Sequence, residues 1–232
     1  TWKTSTGAST YNNIYSGDHL DLRLEEKGWQ LSSFNDSKWE QAKEVPLPAP
    51  LLVAQQMPGI RITEELQASE MKKISSQVYV YAFPKNMAGF CRLKVKGKPG
   101  TRITLKHGEM LKSDGRVEQK NVDFFFYPRN SDEVFQQDEV ILRDVGEWVE
   151  FTPSFTYHGF QYVEVESSKP VELSKESLTA LFVHTDVKPV GSFECSNPIL
   201  NKIWDATRQS YLSKLESIPT DCPQREKNGW TA

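Results

Sequence analysis

At 232 residues the chain is long enough for one or two domains, and with 38% hydrophobic and 25% charged residues it has the composition of an ordinary globular protein. A formal net charge of −3 gives no electrostatic reason to expect nucleic acid or an anionic membrane as partner, and no apolar run approaches the roughly 18 residues of a membrane span. Three widely spaced cysteines, Cys91, Cys195 and Cys222, make neither a disulfide framework nor a zinc pattern and read as reduced, mostly buried thiols. The opening residues Thr1-Trp2-Lys3-Thr4-Ser5 are not a signal peptide and lack an initiator Met, so a processed or excised start is expected.

From Thr1 to about Leu66 the chain reads as turns and short strands. Gly17-Asp18, Gly28-Trp29 and Asn35-Asp36-Ser37 are turn signals. Leu20, Leu22 and Leu24 alternate with Asp21, Arg23 and Glu25, the period-two pattern of a half-buried strand. Pro46, Pro48, Pro50 and Pro58 punctuate an extended segment that cannot be helical, because proline removes the N–H a helix needs. Residues 60–63 form another short strand. These strands are too few to close a sandwich, so residues 1–70 are expected to be the tail of a β-domain or a flank packed on the next one.

From Gln77 to Val190 the strand signal strengthens. Val78 and Val80 alternate with Tyr79 and Tyr81, and Cys91, Leu93 and Val95 with Arg92, Lys94 and Lys96. After Gly97-Lys98-Pro99-Gly100 the alternation resumes at Ile103 and Leu105, which predicts a hairpin with one apolar and one basic face. Residues 124–127, 140–142, 148–151, 160–165 and 178–183 supply further strands. Short strands, regular turns and no helical period predict an antiparallel sandwich over 71–190. The aromatic runs read as strand core rather than sugar platforms. His107, His158 and His184 have no second ligand at metal spacing and read as packed or surface histidines, so no metal and no cofactor is expected.

At Lys188-Pro189-Val190-Gly191 the pattern changes. Ser196-Asn197-Pro198 is a helix start, a capping side chain followed by Pro in the first turn. Leu200, Trp204, Thr207, Tyr211 and Leu215 then form one stripe of an amphipathic helix. That stripe cannot bury itself, so its partners are expected in the sandwich or in helices following Ala232. Residues 191–232 thus read as the start of a helical domain.

The stretch 218–231 closes the chain with two carboxylates (Asp221, Glu226), a guanidinium (Arg225) and an indole (Trp230) between and beyond Pro219 and Pro223. The prolines stiffen the backbone on both sides of Asp221. Paired carboxylates with an Arg and an aromatic suit glycoside hydrolysis, in which an acid protonates the leaving oxygen and a second carboxylate activates water. As composition alone, a capping and salt-bridge arrangement accounts for them equally well.

The string Asp221-Cys222-Pro223-Gln224-Arg225-Glu226, followed by Gly229-Trp230-Thr231, closely resembles the signature opening the catalytic domain of bacterial α-L-rhamnosidases, glycoside hydrolase family 78. Residues 85–90 through 107–111, and Phe155-Thr156-Tyr157-His158-Gly159-Phe160 onward to Val165, are similar to that family's β-sandwich domain. Gly28-Trp29, Asp36-Ser37-x-Trp39 and residues 60–66 are similar to the galactose-binding-like sandwich preceding it. The resemblance spans nearly the whole chain. It implies a mainly β protein, antiparallel sandwiches at 1–70 and 71–190, followed at 191–232 by the first helix of an (α/α)6 barrel whose remainder lies outside the chain. It implies an inverting exo-hydrolase of terminal α-L-rhamnose on glycosides or polysaccharides, without a cofactor. Carried over, Glu226 matches the general acid, Asp221 and Arg225 residues that bind sugar hydroxyls, and Trp230 a wall of the sugar pocket. The motif is one residue shorter than in members that read Asp-Glu after the Arg, and Asn228 replaces a commoner apolar residue.

Two conditions follow from the chemistry. A general acid needs a raised pKa, and cationic Arg225 and Lys227 oppose that if they face Glu226, so Asp221 or a downstream acid is expected to restore it. The general base is expected far downstream of Ala232, as is an Asp directly after it, so residues 1–232 alone are expected to be inactive. The competing readings are a non-catalytic carbohydrate-binding sandwich, a related glycosidase acting on another sugar and, more distantly, a nucleophile at Cys222.

Overall fold

Alternation along the chain becomes strands in most of the stretches where it is strong. The computed structural model describes residues 2–49, 51–130, 133–143, 146 and 148–230, apart from the Phe125 side chain. In chain order its strands are β1 (Lys3–Thr4), β2 (Ser9–Asn13), β3 (Gly17–Asp21), β4 (Glu40–Gln41), β5 (Ile60–Gln67), β6 (Glu70–Lys73), β7 (Val78–Val95), β8 (Arg102–Gly108), β9 (Met110–Leu111), β10 (Val117–Glu118), β11 (Gln137–Ile141), β12 (Val149–Phe151), β13 (His158–Ser167) and β14 (Leu178–Thr185). The helix α1 (Pro198–Leu212) follows, then the short β15 (Leu215–Glu216) and β16 (Ile218–Pro219).

Ten strands form one sheet in the order β2-β3-β11-β8-β13-β7-β14-β5, with β6 and β12 also paired to β7. The 18-residue β7 makes it curl. Its first residues, Val78–Ala82, pair with β13 and β6, whereas residues 89–95 pair with β14 and β12. Between them the register shifts, with residues 83–86 facing only Gln161. Pro84 sits in this bulge, where a missing N–H costs no ladder bond. The curl encloses one apolar cluster in which Tyr79, Phe83, Met87, Leu93, Leu105 and Phe160 are each at most 1% exposed. Phe83 and Phe160 meet edge to face at 5.9 Å. Burial of phenols requires a partner: the Tyr79 hydroxyl donates to the Val171 carbonyl at 2.7 Å and that of Tyr81 to Ser174 at 2.8 Å.

The mainly β architecture with a single helix among the described residues is the expected one; several details differ. Among the described residues the strands of 71–190 pair with one another antiparallel throughout, as expected; the parallel pair, β3 with β11, joins residues 17–21 to that segment. Residues 91–105 carry the expected apolar face, but β7 and β8 do not form a hairpin: β13 lies between them. Gly97–Gly100 therefore joins strands that are not neighbours. The leucine alternation at 20–24 is cut at Asp21, whose carboxylate accepts the Arg23 N–H at 3.0 Å and caps a 3-10 turn over Leu22–Leu24. Residues 124–127 are not a strand; Asp123–Phe125 form a 3-10 turn closed by the Phe126 N–H donating to the Asp123 carbonyl. Residues 9–21 and 60–67 add strands to the sheet of the following segment through β3–β11 and β14–β5.

The helix starts as expected: the Asn197 side chain accepts the Ile199 N–H at 2.9 Å and Pro198 stands at its first position. It ends at Leu212, so Leu215 lies beyond it, buried in β15. No described helix residue is buried, and Leu200, Trp204 and Tyr211 are all exposed. Among the described residues no helix is long and apolar enough to cross a membrane.

Candidate active site

After the helix the chain is tied to the end of β14. The Thr185 hydroxyl donates to the Leu215 carbonyl at 3.0 Å and accepts the Ser217 N–H at 2.7 Å. Ser217 takes a positive φ of 73° in the tight turn between β15 and β16. Thr220 then donates from both its N–H and its hydroxyl to the Lys214 carbonyl, at 2.7 and 3.1 Å.

From here the chain makes a closed loop. Its base is fastened by the Asp221 N–H to the Asn228 carbonyl at 3.0 Å and by the Trp230 N–H to the Pro219 carbonyl at 2.8 Å. Inside the loop Asp221 Oδ1 accepts the N–H groups of Cys222 (2.6 Å) and Asn228 (3.2 Å). The two prolines thus flank a carboxylate that accepts backbone N–H groups from both ends of the loop.

The loop rests on the sheet at Gly159 of β13. A Cβ there would stand 2.9 Å from Gln224 Cβ, 3.0 Å from Gln224 N and 3.1 Å from Pro223 Cγ, closer than packed atoms allow. The far side is held by Lys227, which reaches back into the sheet. Its ammonium donates to the carbonyls of Ile14 and Tyr157 and lies 4.5 Å from the centroid of the Tyr157 ring. To do so Lys227 adopts φ 51°, a left-handed conformation rare for residues other than glycine. Burial pushes its pKa down to about 7, against the pull of Asp138. Burial also pushes Glu216, which faces it, up to about 8.

Asp221, Arg225 and Glu226 are brought together. Side-chain ligand atoms of Asp221, Cys222 and Glu226 lie within 4.8 Å of one another. Arg225 Nε stands 3.2 Å from Glu226 Oε2, to which the Cys222 thiol also donates. Partial burial acts to raise the Glu226 pKa, but the thiol hydrogen bond and the Arg225 charge outweigh it and hold the carboxyl below its usual value. Arg225 therefore faces the acid and Asp221 does not compensate, whereas Lys227 is turned away into the sheet. Trp230, whose N–H closes the base of the loop, is 75% exposed. Thr231, the last residue of the motif, lies outside the described residues.

Two clefts meet at Arg225. One, of about 800 Å³, lies between the helix and the loop and is lined by Asp205, Gln209 and Asp221. The other, of about 460 Å³, is lined by Glu226 together with Tyr15, Phe126 and Tyr127.

Metal binding finds poor support in either cluster of potential ligands. His107, Asp138 and His158 are wholly buried together beneath the loop. The imidazoles are stacked, 4.1 Å between centroids and 25° between planes, so an ion bonded in the plane of one ring, where its nitrogen lone pair points, lies well off the plane of the other. His158 Nε2 is instead 3.1 Å from both Asp138 oxygens. Burial holds both histidines below their usual range, His107 at about 3. At Asp221, Cys222 and Glu226 the guanidinium beside Glu226 repels a cation. All three cysteines are free.

Sequence reasoning missed Lys227, Gly159 and the aromatic cleft beside Glu226. Gly159 had a signal, an isolated glycine within a strand pattern, which often marks a close backbone approach. Lys227 had none, since one of its partners lies 213 residues away.

Sequence models of one family match almost end to end. They are described as the alpha-L-rhamnosidase N-terminal domain (residues 1–64), the bacterial alpha-L-rhamnosidase concanavalin-like domain (72–184) and the bacterial alpha-L-rhamnosidase 6 hairpin glycosidase domain (188–232). An alpha-L-rhamnosidase of Formosa agariphila is 34% identical, covering 99% of this chain and 24% of its own length. One from Streptomyces avermitilis is 32% identical, covering 99% and 22%. The chain thus spans about a quarter of the length of these curated relatives. Among solved structures, the alpha-L-rhamnosidase of Dictyoglumus thermophilum superposes with TM-score 0.87 at 38% identity, over 99% of this chain and 25% of that one. The Streptomyces avermitilis enzyme complexed with L-rhamnose gives 0.86 at 32%, over 99% and 22%.

Proposed function

The chain belongs to the bacterial α-L-rhamnosidase family, and from that premise we propose that the whole protein is an inverting, exo-acting hydrolase of terminal α-L-rhamnose. Its substrates are rhamnose-containing glycosides or oligosaccharides. Residues 1–70 and 71–190 are β-domains, and 191–232 open the catalytic domain. Glu226 is the general acid, Asp221 and Arg225 hold sugar hydroxyls, and Trp230 completes the sugar pocket.

The observation that carries this reading is the convergence of Glu226, Arg225 and Asp221 on a loop closed at its base and seated on Gly159. In the reaction Glu226 gives its proton to the departing oxygen as the bond to the rhamnosyl carbon breaks. Water attacks the opposite face of that carbon and loses its proton to a second carboxylate roughly 6.5–9.5 Å from the first. That base belongs to residues beyond 232, and residues 1–232 alone turn over no substrate. Because Arg225 and Cys222 favour the ionised form of Glu226, the proton is retained only when the rest of the catalytic domain and the bound sugar desolvate the carboxyl further.

The test is Glu226→Gln in the full-length protein, assayed on an aryl α-L-rhamnoside. Loss of a positioned acid lowers kcat about 10²–10⁴-fold. An unchanged kcat would remove Glu226 from the role.

A further inference from the structure

We propose that the smaller cleft, on the Glu226 side of Arg225, is the subsite for the group that leaves with the glycosidic oxygen, and that it takes a neutral ring with a flat apolar face. The inference rests on the reading of Glu226 as proton donor. A general acid must stand within hydrogen-bond reach of the oxygen joining the two halves of the substrate. Asp221, the sugar-binding carboxylate in that reading, lines the larger cleft, while Glu226 lines the smaller one and Arg225 borders both. The scissile oxygen therefore lies at the divide, with rhamnose on the Asp221 side and the departing ring on the Glu226 side.

The smaller cleft suits such a ring in volume, lining and charge. Its volume of about 460 Å³ lies within the range of small-molecule sites. Its outer wall is the segment between β10 and β11, where Tyr127 stands 78% exposed. An aromatic face so placed offers a stacking platform to a flat ring. The wall is held in place. The Gln119 amide donates to the carbonyls of His107 (2.7 Å) and Phe135 (2.9 Å), and Phe126 packs on Phe135 with centroids 5.4 Å apart.

Charge decides between neutral and anionic rings. The charged groups lining the cleft pair with one another: Arg225 with Glu226 at 3.2 Å, and Arg129 with Glu133 at 2.6 Å. Burial of Glu133 beside the guanidinium leaves that pair satisfied, its carboxyl held below the usual range by the Arg129 hydrogen bond. With its proton retained for the reaction Glu226 is neutral, and the Arg225 charge then stands at the divide shared with the larger cleft. Beyond it Arg129 and Glu133 cancel, so the wall facing the departing ring sets no preference for a uronate over a neutral sugar or an aryl group.

The experiment uses the full-length enzyme and its Tyr127→Ala and Tyr127→Trp variants. Substrates are methyl, p-nitrophenyl, glucosyl and glucuronyl α-L-rhamnosides. The expected result is that Tyr127→Ala lowers kcat/KM for ring-bearing substrates, relative to the methyl rhamnoside, roughly threefold to tenfold, and that Tyr127→Trp restores the ratio. A loss confined to the p-nitrophenyl substrate assigns an aryl ring. A loss on both it and the glucosyl substrate assigns any ring with an apolar face. Ratios unmoved in Tyr127→Ala, or a wild-type preference for glucuronyl over glucosyl rhamnoside, overturn the proposal. Failure of the underlying reading looks different: Glu226→Gln then stays active on every substrate, the methyl rhamnoside included.

Discussion

In the sheet, Leu93, Val95, Leu105 and Phe160 have no exposed surface, whereas the helix Pro198–Leu212 has no buried residue among those described. The loop after the helix is intermediate and is held differently from both. The sheet is positioned by apolar burial, a non-directional force that rewards many contacts at once. The loop is positioned by a few directed contacts: Thr185 at its approach, Gly159 beneath it and Lys227 at its far side. The difference shows how one chain combines a rigid support with a site whose geometry depends on single atoms. Damage to the sheet should therefore appear as lost stability, and damage to the loop as lost activity.

The largest expected effect is in the sheet. Phe160→Ala removes a ring packed on Phe83 and His107 and is expected to cost about 3–5 kcal/mol in urea unfolding. A loss under about 1 kcal/mol would show that the cluster is not the source of the sheet's stability.

Gly159→Ala sharpens the contrast. The added methyl meets Gln224 and Pro223 at 2.9–3.1 Å, so the loop must shift to admit it. On the hydrolase reading proposed above, kcat of the full-length protein should fall roughly tenfold to hundredfold, because small misplacements of catalytic groups are costly, with a much smaller change in the unfolding midpoint. Equal activity with reduced stability would place Gly159 with the sheet instead.

Lys227 and Glu216 predict a pH signature. Lys227 titrates at about 7 when folded against an ordinary value near 10.5. Between those values the unfolded chain holds the extra proton, so stability rises with pH across that window. Glu216 titrates at about 8 against an ordinary 4.5; there the folded chain holds the extra proton, so stability falls as pH rises from 4.5 to 8. Thermal midpoints should pass through a shallow minimum between pH 7 and 8. Lys227→Met should abolish the rise above pH 8 and leave the fall below it. The buried histidines, with His107 at about 3 against 6.5, add a further loss of stability as pH drops from 6.5 toward 3.

The smallest effect is expected on the helix. Trp204→Gln in residues 1–232 should change stability by less than about 0.5 kcal/mol, as for other exposed positions. The same substitution in the full-length protein should cost more, since the exposed stripe is expected to meet the later helices there. Equal costs in the two would mean that the stripe stays uncovered.

Much of the fold and part of the site were legible from the amino-acid order. Alternation placed β7 and β8, the strand-like runs at 60–63, 160–165 and 178–183 fell within β5, β13 and β14, and Asn197-Pro198 marked the helix start, because period and capping are properties of adjacent residues. Asp221, Arg225 and Glu226 were legible as a group, being six residues or fewer apart on a segment stiffened by proline. The aromatic run 124–127 misled, since β-favouring side chains say nothing of the hydrogen bonds that close a turn around Asp123.

Sequence by itself determined a β-rich chain, one capped helix and an acidic, arginine-bearing loop after it. Only the tertiary structure decided that β13 separates β7 from β8, that β3 runs parallel to β11, and that Lys227 fastens the loop to Ile14 and Tyr157. The physical reason is range. Backbone preference and periodicity act between near neighbours in sequence, whereas strand order and the seating of a loop are set by which distant surfaces can bury one another without leaving a donor or acceptor unpaired.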